Sequence, residues 1–155
     1  MATFTGQAGI IKVALDGGDH YAIGELRSFT IDQTQDTVEV TSMQVAGDSS
    51  LAVSRLYKPG LSTFTISGDV YFHGDDTNGQ AALEGKLDEA ATGTEVEFKV
   101  FPAGVGASDG KAFSGNAIMT SWSISSSVDG AVEASFAAQG TNSLTIGDAD
   151  AIELA

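Results

Sequence analysis

Cysteine is absent from this 155-residue chain, which excludes a disulfide frame, a thiolate metal site and a cysteine nucleophile together. Only two residues are proline, and seven basic side chains stand against 21 acidic ones. The net charge of -14 argues against a direct grip on nucleic-acid phosphates and against docking on an anionic membrane. No stretch approaches the roughly 18 uninterrupted apolar residues of a membrane helix. The opening MATFTGQAGIIKVAL has no basic leading segment and is interrupted by Lys12, so it is a poor secretory signal and cytoplasmic synthesis is expected.

What is present is 42% hydrophobic residues, 18% charged residues and 19 glycines. That composition is globular and turn-rich, and it reads as one mainly β domain over residues 1–155 with little helix. GIIKVAL opens it as a strand over residues 9–15, closed by the turn Asp16-Gly17-Gly18-Asp19. An extended run over 20–35 follows, with a bulge expected at Gly24-Glu25, where the apolar parity slips between Tyr21/Ile23 and Leu26. TVEVTSM predicts a short strand over 37–43 with Val38 and Val40 inward.

Residues 44–60 (QVAGDSSLAVSRLYKPG) show no period and predict a long loop, a feature that is functional or disordered in most compact domains. Its Leu51, Val53, Leu56 and Tyr57 are too apolar for a solvated linker. From Leu61 onward Phe64, Ile66, Val70 and Phe72 share one face with Gly68, predicting a core strand. The convincing helix spans about 79–91, with Thr77 and Gln80 matching a capping box and Gly93 supplying the stop. EVEFKVF over 95–101 is a strand with Val96, Phe98 and Val100 inward.

A long strand with Ile118, Thr120, Trp122 and Ile124 on one face comes next, and a last strand has Val132, Ala134 and Phe136 inward. A two-residue turn at Asp129-Gly130 would throw these apolar sets onto opposite faces. A three-residue loop Val128-Asp129-Gly130, with Gly130 at positive φ, instead sets Trp122 opposite Phe136 and Ile124 opposite Ala134. The tail after Gly140 loses its pattern, so 1–8 and 141–155 are expected to be arms ordered on assembly.

Chemistry is sparse. His20 and His73 are the two histidines, and no serine sits in a G-x-S-x-G elbow. His73-Gly74-Asp75-Asp76 reads as a polar lead-in to a helix N-terminus, where acids are favourable, and Asp16, Asp19 and His20 as turn residues. No phosphate loop, dinucleotide fingerprint or calcium loop occurs. Trp122, in phase with Ile118 and Ile124, reads as core, not as a sugar platform. No cofactor and no catalytic or metal residue is expected.

The order VEVTSM, SRLYKPGL followed by STFTISGDVYF, NGQAALEGKLDEAATG and FSGNAIMTSWSISSSVDGAVEASFAAQGTNSLT resembles the phage tail tube (major tail) protein family of long-tailed phages, over roughly residues 37–145. The resemblance implies a β-sandwich or barrel-like domain with one helix, built into hexameric rings stacked as a hollow tube that conducts the genome. It implies a structural, non-enzymatic virion protein, located in the tail and made in the host cytoplasm. Its partners would be further copies of itself and tape-measure, tail terminator and distal tail proteins, with DNA passing through unbound. Tubes of contractile tails and secretion-type injection systems share that fold.

On this reading Arg55, Leu56, Tyr57 and Lys58 are candidates for inter-subunit contact, holding two of the seven positive charges beside apolar area. Asp69, Glu95, Glu97 and Glu133, on polar strand faces, are candidates for an acidic lumen. Six copies would carry about -84, and such a wall repels DNA within a Debye length of roughly 8 Å. Two other classes are distinguishable. A sugar-binding or decoration β-sandwich needs an exposed aromatic platform, and a hydrolase needs His20 or His73 in a cleft beside a carboxylate.

Overall fold

The first strand, β1 (Ile10–Leu15), pairs antiparallel with β5 (Val96–Phe101) on one side and with the two-residue β2 (Tyr21–Ala22) on the other. The structure is a computed structural model that describes residues 6–15, 19–24, 26–41, 55–76, 79–88, 95–106 and 110–154. With β3 (Leu26–Glu39), β4 (Tyr57–Tyr71), β6 (Lys111–Ser125) and β7 (Glu133–Asp148) the strands form one antiparallel sheet in the order β2-β1-β5-β6-β7-β4-β3. Helix α1 covers Gln80–Asp88 and α2 covers Ala149–Leu154.

That order forces the sheet to curl. Strands β2 and β3 lie at its two edges, yet Ala22 and Leu26 are four residues apart in the chain. Four residues reach at most about 14 Å, whereas the edges of a flat seven-stranded sheet would stand about 29 Å apart. The expected mainly β, barrel-like fold is therefore found as a single rolled sheet. Its interior is filled by Ile11, Val13, Phe64, Ile66, Val70, Val96, Phe98, Val100, Met119 and Phe136, with Leu83 of α1 fully buried among them.

A second, smaller cluster lies on the outside. The outward residue Phe101 is buried with Ala112, Ala149 and Ile152, because α2 lies against β5, β6 and β1, where Lys12 pairs with Glu153. Strand β5 is thus covered on both faces, which explains its nearly continuous burial.

Several expectations change. The extended run over 20–35 is two strands on opposite edges, with a bulge at Arg27, between Leu26 and Ser28; Glu25 of the expected Gly24-Glu25 bulge falls outside the described residues. The strand expected over 37–43 is the end of β3, and its Val38 and Val40 are exposed because β3 here runs beyond the filled interior, where residues of both parities from Asp32 to Thr41 are exposed. The loop expected over 44–60 ends early: β4 begins at Tyr57, and Pro59-Gly60 lies inside it, while residues 44–54 fall outside the described residues. Proline is tolerated there because β4 pairs with β7 only from Thr65 onward, leaving one side of the strand open. A β-bulge sets Gly60 and Leu61 against Asp36, and a Cβ on Gly60 would press to 3.1 Å from the Asp36 carbonyl oxygen.

On β6 the core residues are Ala117 and Met119, with Ile118 and Thr120 turned outward; an extra residue at Thr120 flips the parity so that Trp122 points in again. Trp122 packs against the core, and the expected register holds, Trp122 facing Phe136 and Ile124 facing Ala134. The turn is wider than three residues, however, and Gly130 does not take a positive φ. Phe72 keeps the inward parity but is exposed at the barrel end.

Asp76 accepts hydrogen bonds from the amides of Gly79 and Gln80 at the start of α1, while Thr77 of the expected capping box falls outside the described residues. Residues 89–91 and Gly93 fall outside the description. The tail expected as an arm is built into the fold: residues 141–148 pair with 111–116 of β6, and α2 follows. At the other end residues 6–8 form a short 3-10 turn, and 1–5 lie outside the description.

Candidate assembly surfaces

Past Thr65, β4 leaves β7 and runs on with β3 alone. The pair extends as a two-stranded ribbon through Val40, whose amide bonds the Leu56 carbonyl, to Thr41, whose hydroxyl accepts the Leu56 amide. From Thr65 to Arg55 this is about 33 Å of strand. The register divides the ribbon into two sides. Val38 faces Lys58 and Val40 lies beside Leu56 on one; Glu39 faces Tyr57 on the other, with Arg55 4.0 Å from Glu39.

The four contact candidates are therefore together on the ribbon but split between its sides, Leu56 with Lys58 and Arg55 with Tyr57. All four are exposed, as are Val38 at 53% and Leu61 at 83%. Leu61 shares the outward parity of Thr63 and Thr65, a position that alternation alone assigns to it. No described residue forms an ion pair with Lys58.

A different surface covers the outside of β3, β4, β7 and β6. Its rows are Asp32-Thr65-Gln139-Ile118, Thr30-Ser67-Ala137-Ser121 and Ser28-Asp69-Ser135-Ser123. Short hydroxyl side chains dominate because these are the outward positions of strands whose inward positions hold Phe64, Ile66, Ala138 and Phe136. Asp69 accepts hydrogen bonds from Ser135 (2.6 Å) and Ser28 (3.1 Å). Those bonds, with Arg27 nearby, hold its carboxyl below the ordinary 3.8. Arg27 pairs with Glu133 and lies 4.9 Å from the Tyr71 ring.

The four acidic candidates thus fall into two groups. Asp69 and Glu133 belong to the hydroxyl-rich face. Glu97 stands on β5 with His20 Nε2 3.4 Å away, and Glu95 just before that strand accepts from Asn116 at 3.1 Å. The His20 Nε2 atom is buried and hydrogen-bonded to no described group.

The family model for phage tail tube proteins matches residues 3–145. No curated protein matches the chain. Among solved structures, the tail of an empty gene transfer agent particle, determined with C6 symmetry, superimposes with a TM-score of 0.69 at 24% identity, covering 94% of this chain and 99% of that one. The SPP1 tail tube gives 0.68 at 18% identity over 96% of this chain and 81% of that one. The sheath-tube complex of an extracellular contractile injection system gives 0.58 at 15% identity over 94% and 92%. With its rolled sheet and the match spanning nearly its full length, this chain belongs to the phage tail tube protein family and is a tail tube protein of a phage-like tail.

Proposed function

We propose that copies of this chain join into six-membered rings that stack as a hollow tube, through which genomic DNA passes during ejection. The observation that carries this is the β3–β4 ribbon. An isolated two-stranded ribbon is marginal in water, and this one has both edges unpaired among the described residues while exposing Val38, Val40, Leu56, Tyr57 and Leu61. Such a ribbon is satisfied by lying against another copy, where Tyr57 supplies apolar area with a polar tip and Arg55 and Lys58 meet acidic neighbours.

The hydroxyl-rich outer face of β3, β4, β6 and β7 suits the lumen wall. The Arg27–Glu133 pair cancels, leaving Asp32 and Asp69 as its excess negative charge. Short side chains and like charge give DNA nothing to grip. Glu97 on β5, and Glu95 just before it, lie one strand beyond β6 and are assigned outside this wall. The chain is a structural protein of the virion tail in this reading, and tape-measure, terminator and distal tail proteins are its further partners.

The test is the double variant Arg55→Glu/Lys58→Glu, examined by circular dichroism and negative-stain microscopy. It keeps the β spectrum and thermal transition of the parent but forms no tubes. Normal tubes from the variant would reduce this segment to a surface hairpin.

A further inference from the structure

We infer that the open end of the core row, exposed Phe72 and Ile124 with half-buried Val132, is the socket that receives the β3–β4 ribbon of a second copy of this chain. The inference rests on the tube reading above and names the two surfaces that meet.

The socket comes from the register. Val70, Ala134 and Ile124 lie side by side on β4, β7 and β6, and the Phe72 amide bonds the Val132 carbonyl one step further on. Val70 and Ala134 are buried, yet Ile124 is 47% exposed and Phe72 39% exposed. A row of inward parity therefore runs past the last filled layer of the barrel, and no described element covers it. Val128, at the tip of the adjoining turn, is fully exposed.

The ribbon offers the counterpart. Val38, Val40, Leu56 and Lys58 share one of its sides, three apolar groups around a cation. Ribbon and socket lie at opposite ends of β4, whose Tyr57–Tyr71 span is about 45 Å. One subunit cannot bring its own two surfaces together, whereas two subunits displaced along that strand can. Two different patches meeting head to tail form the heterologous contact that builds rings and open filaments.

Charge selects another copy as the occupant. Segments 36–41 and 55–62 contain Asp36, Glu39, Arg55 and Lys58 and carry no net charge, so the whole -14 of the chain lies elsewhere. The ribbon thus approaches an acidic copy without net repulsion. Lys58, which no described residue pairs, meets Asp129 at the socket rim, an exposed acid equally without a described ion-pair partner.

The absence of cysteine makes the test direct. Leu56→Cys and Ile124→Cys subunits are prepared separately, mixed under assembly conditions and oxidised. The mixture gives disulfide-linked dimers on a non-reducing gel, and either variant alone gives only traces. The double variant gives a ladder of higher multimers. Val38→Cys with Val132→Cys repeats the test should the first pair fold poorly, as judged by thermal melting. Tubes seen by microscopy without cross-links in either pair overturn the socket while leaving the tube reading intact. Absence of both tubes and cross-links overturns both.

Discussion

Phe64 is held in a slot that only glycine can form. Its ring lies across β6 and β7 at Gly115 and Gly140, where an added Cβ would come within 2.7 and 2.5 Å of the ring respectively. Because Phe64 is buried in the core cluster, the ring cannot swing away without displacing its neighbours. Gly140→Ala therefore destabilises the fold by about 1–3 kcal/mol, the cost of overpacking a filled core, measurable by urea denaturation. Asp69 makes a second residue-scale statement. Two serine hydroxyls and Arg27 favour its charged form, so NMR titration of its carboxyl gives a midpoint below 3.8. A folded-state pKa below the unfolded one means that these bonds contribute stability above the unfolded value. That contribution is lost as pH falls through the lower, folded midpoint. Asp69→Asn removes this acid-range dependence.

At the scale of elements, the closure of the barrel depends on two polar side chains. Asp76 accepts the Gly24 amide at 2.9 Å as well as capping α1, and buried Gln80 donates to the carbonyls of Gly24 and Tyr71 while accepting from the His73 amide. Together they tie α1 to the crossing between the sheet edges. Gln80→Ala leaves three backbone groups without partners and costs about 2–4 kcal/mol, whereas Glu84→Ala on the exposed side of α1 stays within about 0.5 kcal/mol; denaturant midpoints separate the two. This element shows what the sequence reveals and what it hides. The Thr77/Gln80 pattern fits a local capping box, but Gln80 is spent partly on the Gly24 carbonyl in the crossing between the sheet edges, a partner no local window contains. The inward faces of β4 and β5 are legible because their alternation is unbroken through Phe64, Ile66 and Val70 and through Val96, Phe98 and Val100. Bulges at Arg27, Gly60-Leu61 and Thr120 defeat the same reasoning, since each shifts the phase by one residue in answer to a neighbouring strand. The second half of β7 was illegible for a related reason. Its residues 141–148 are mostly half-buried or exposed, and pairing with β6 rather than an apolar stripe holds them in place. Among the contact candidates, Arg55 to Lys58 stood out by charge, whereas the split onto two ribbon sides needed the register with β3.

For the whole molecule, the chain is a rolled sheet with an unsupported ribbon at one end and an uncovered apolar row at the other. As a monomer it would expose both, and the ribbon would be marginal. In the proposed tube one repeated contact would cover both, and Asp32 and Asp69 would face the DNA, itself a polyanion. Loss of tubes from Arg55→Glu/Lys58→Glu and cross-linking of Leu56→Cys to Ile124→Cys follow from the same contact. The most direct measurement is negative-stain and cryogenic electron microscopy of the concentrated purified protein. The account predicts hollow tubes with six subunits around each ring and the hydroxyl-rich face of β4 and β7 lining the bore. Protein that remains monomeric at every concentration and salt condition, or that forms solid fibres without a lumen, would contradict it.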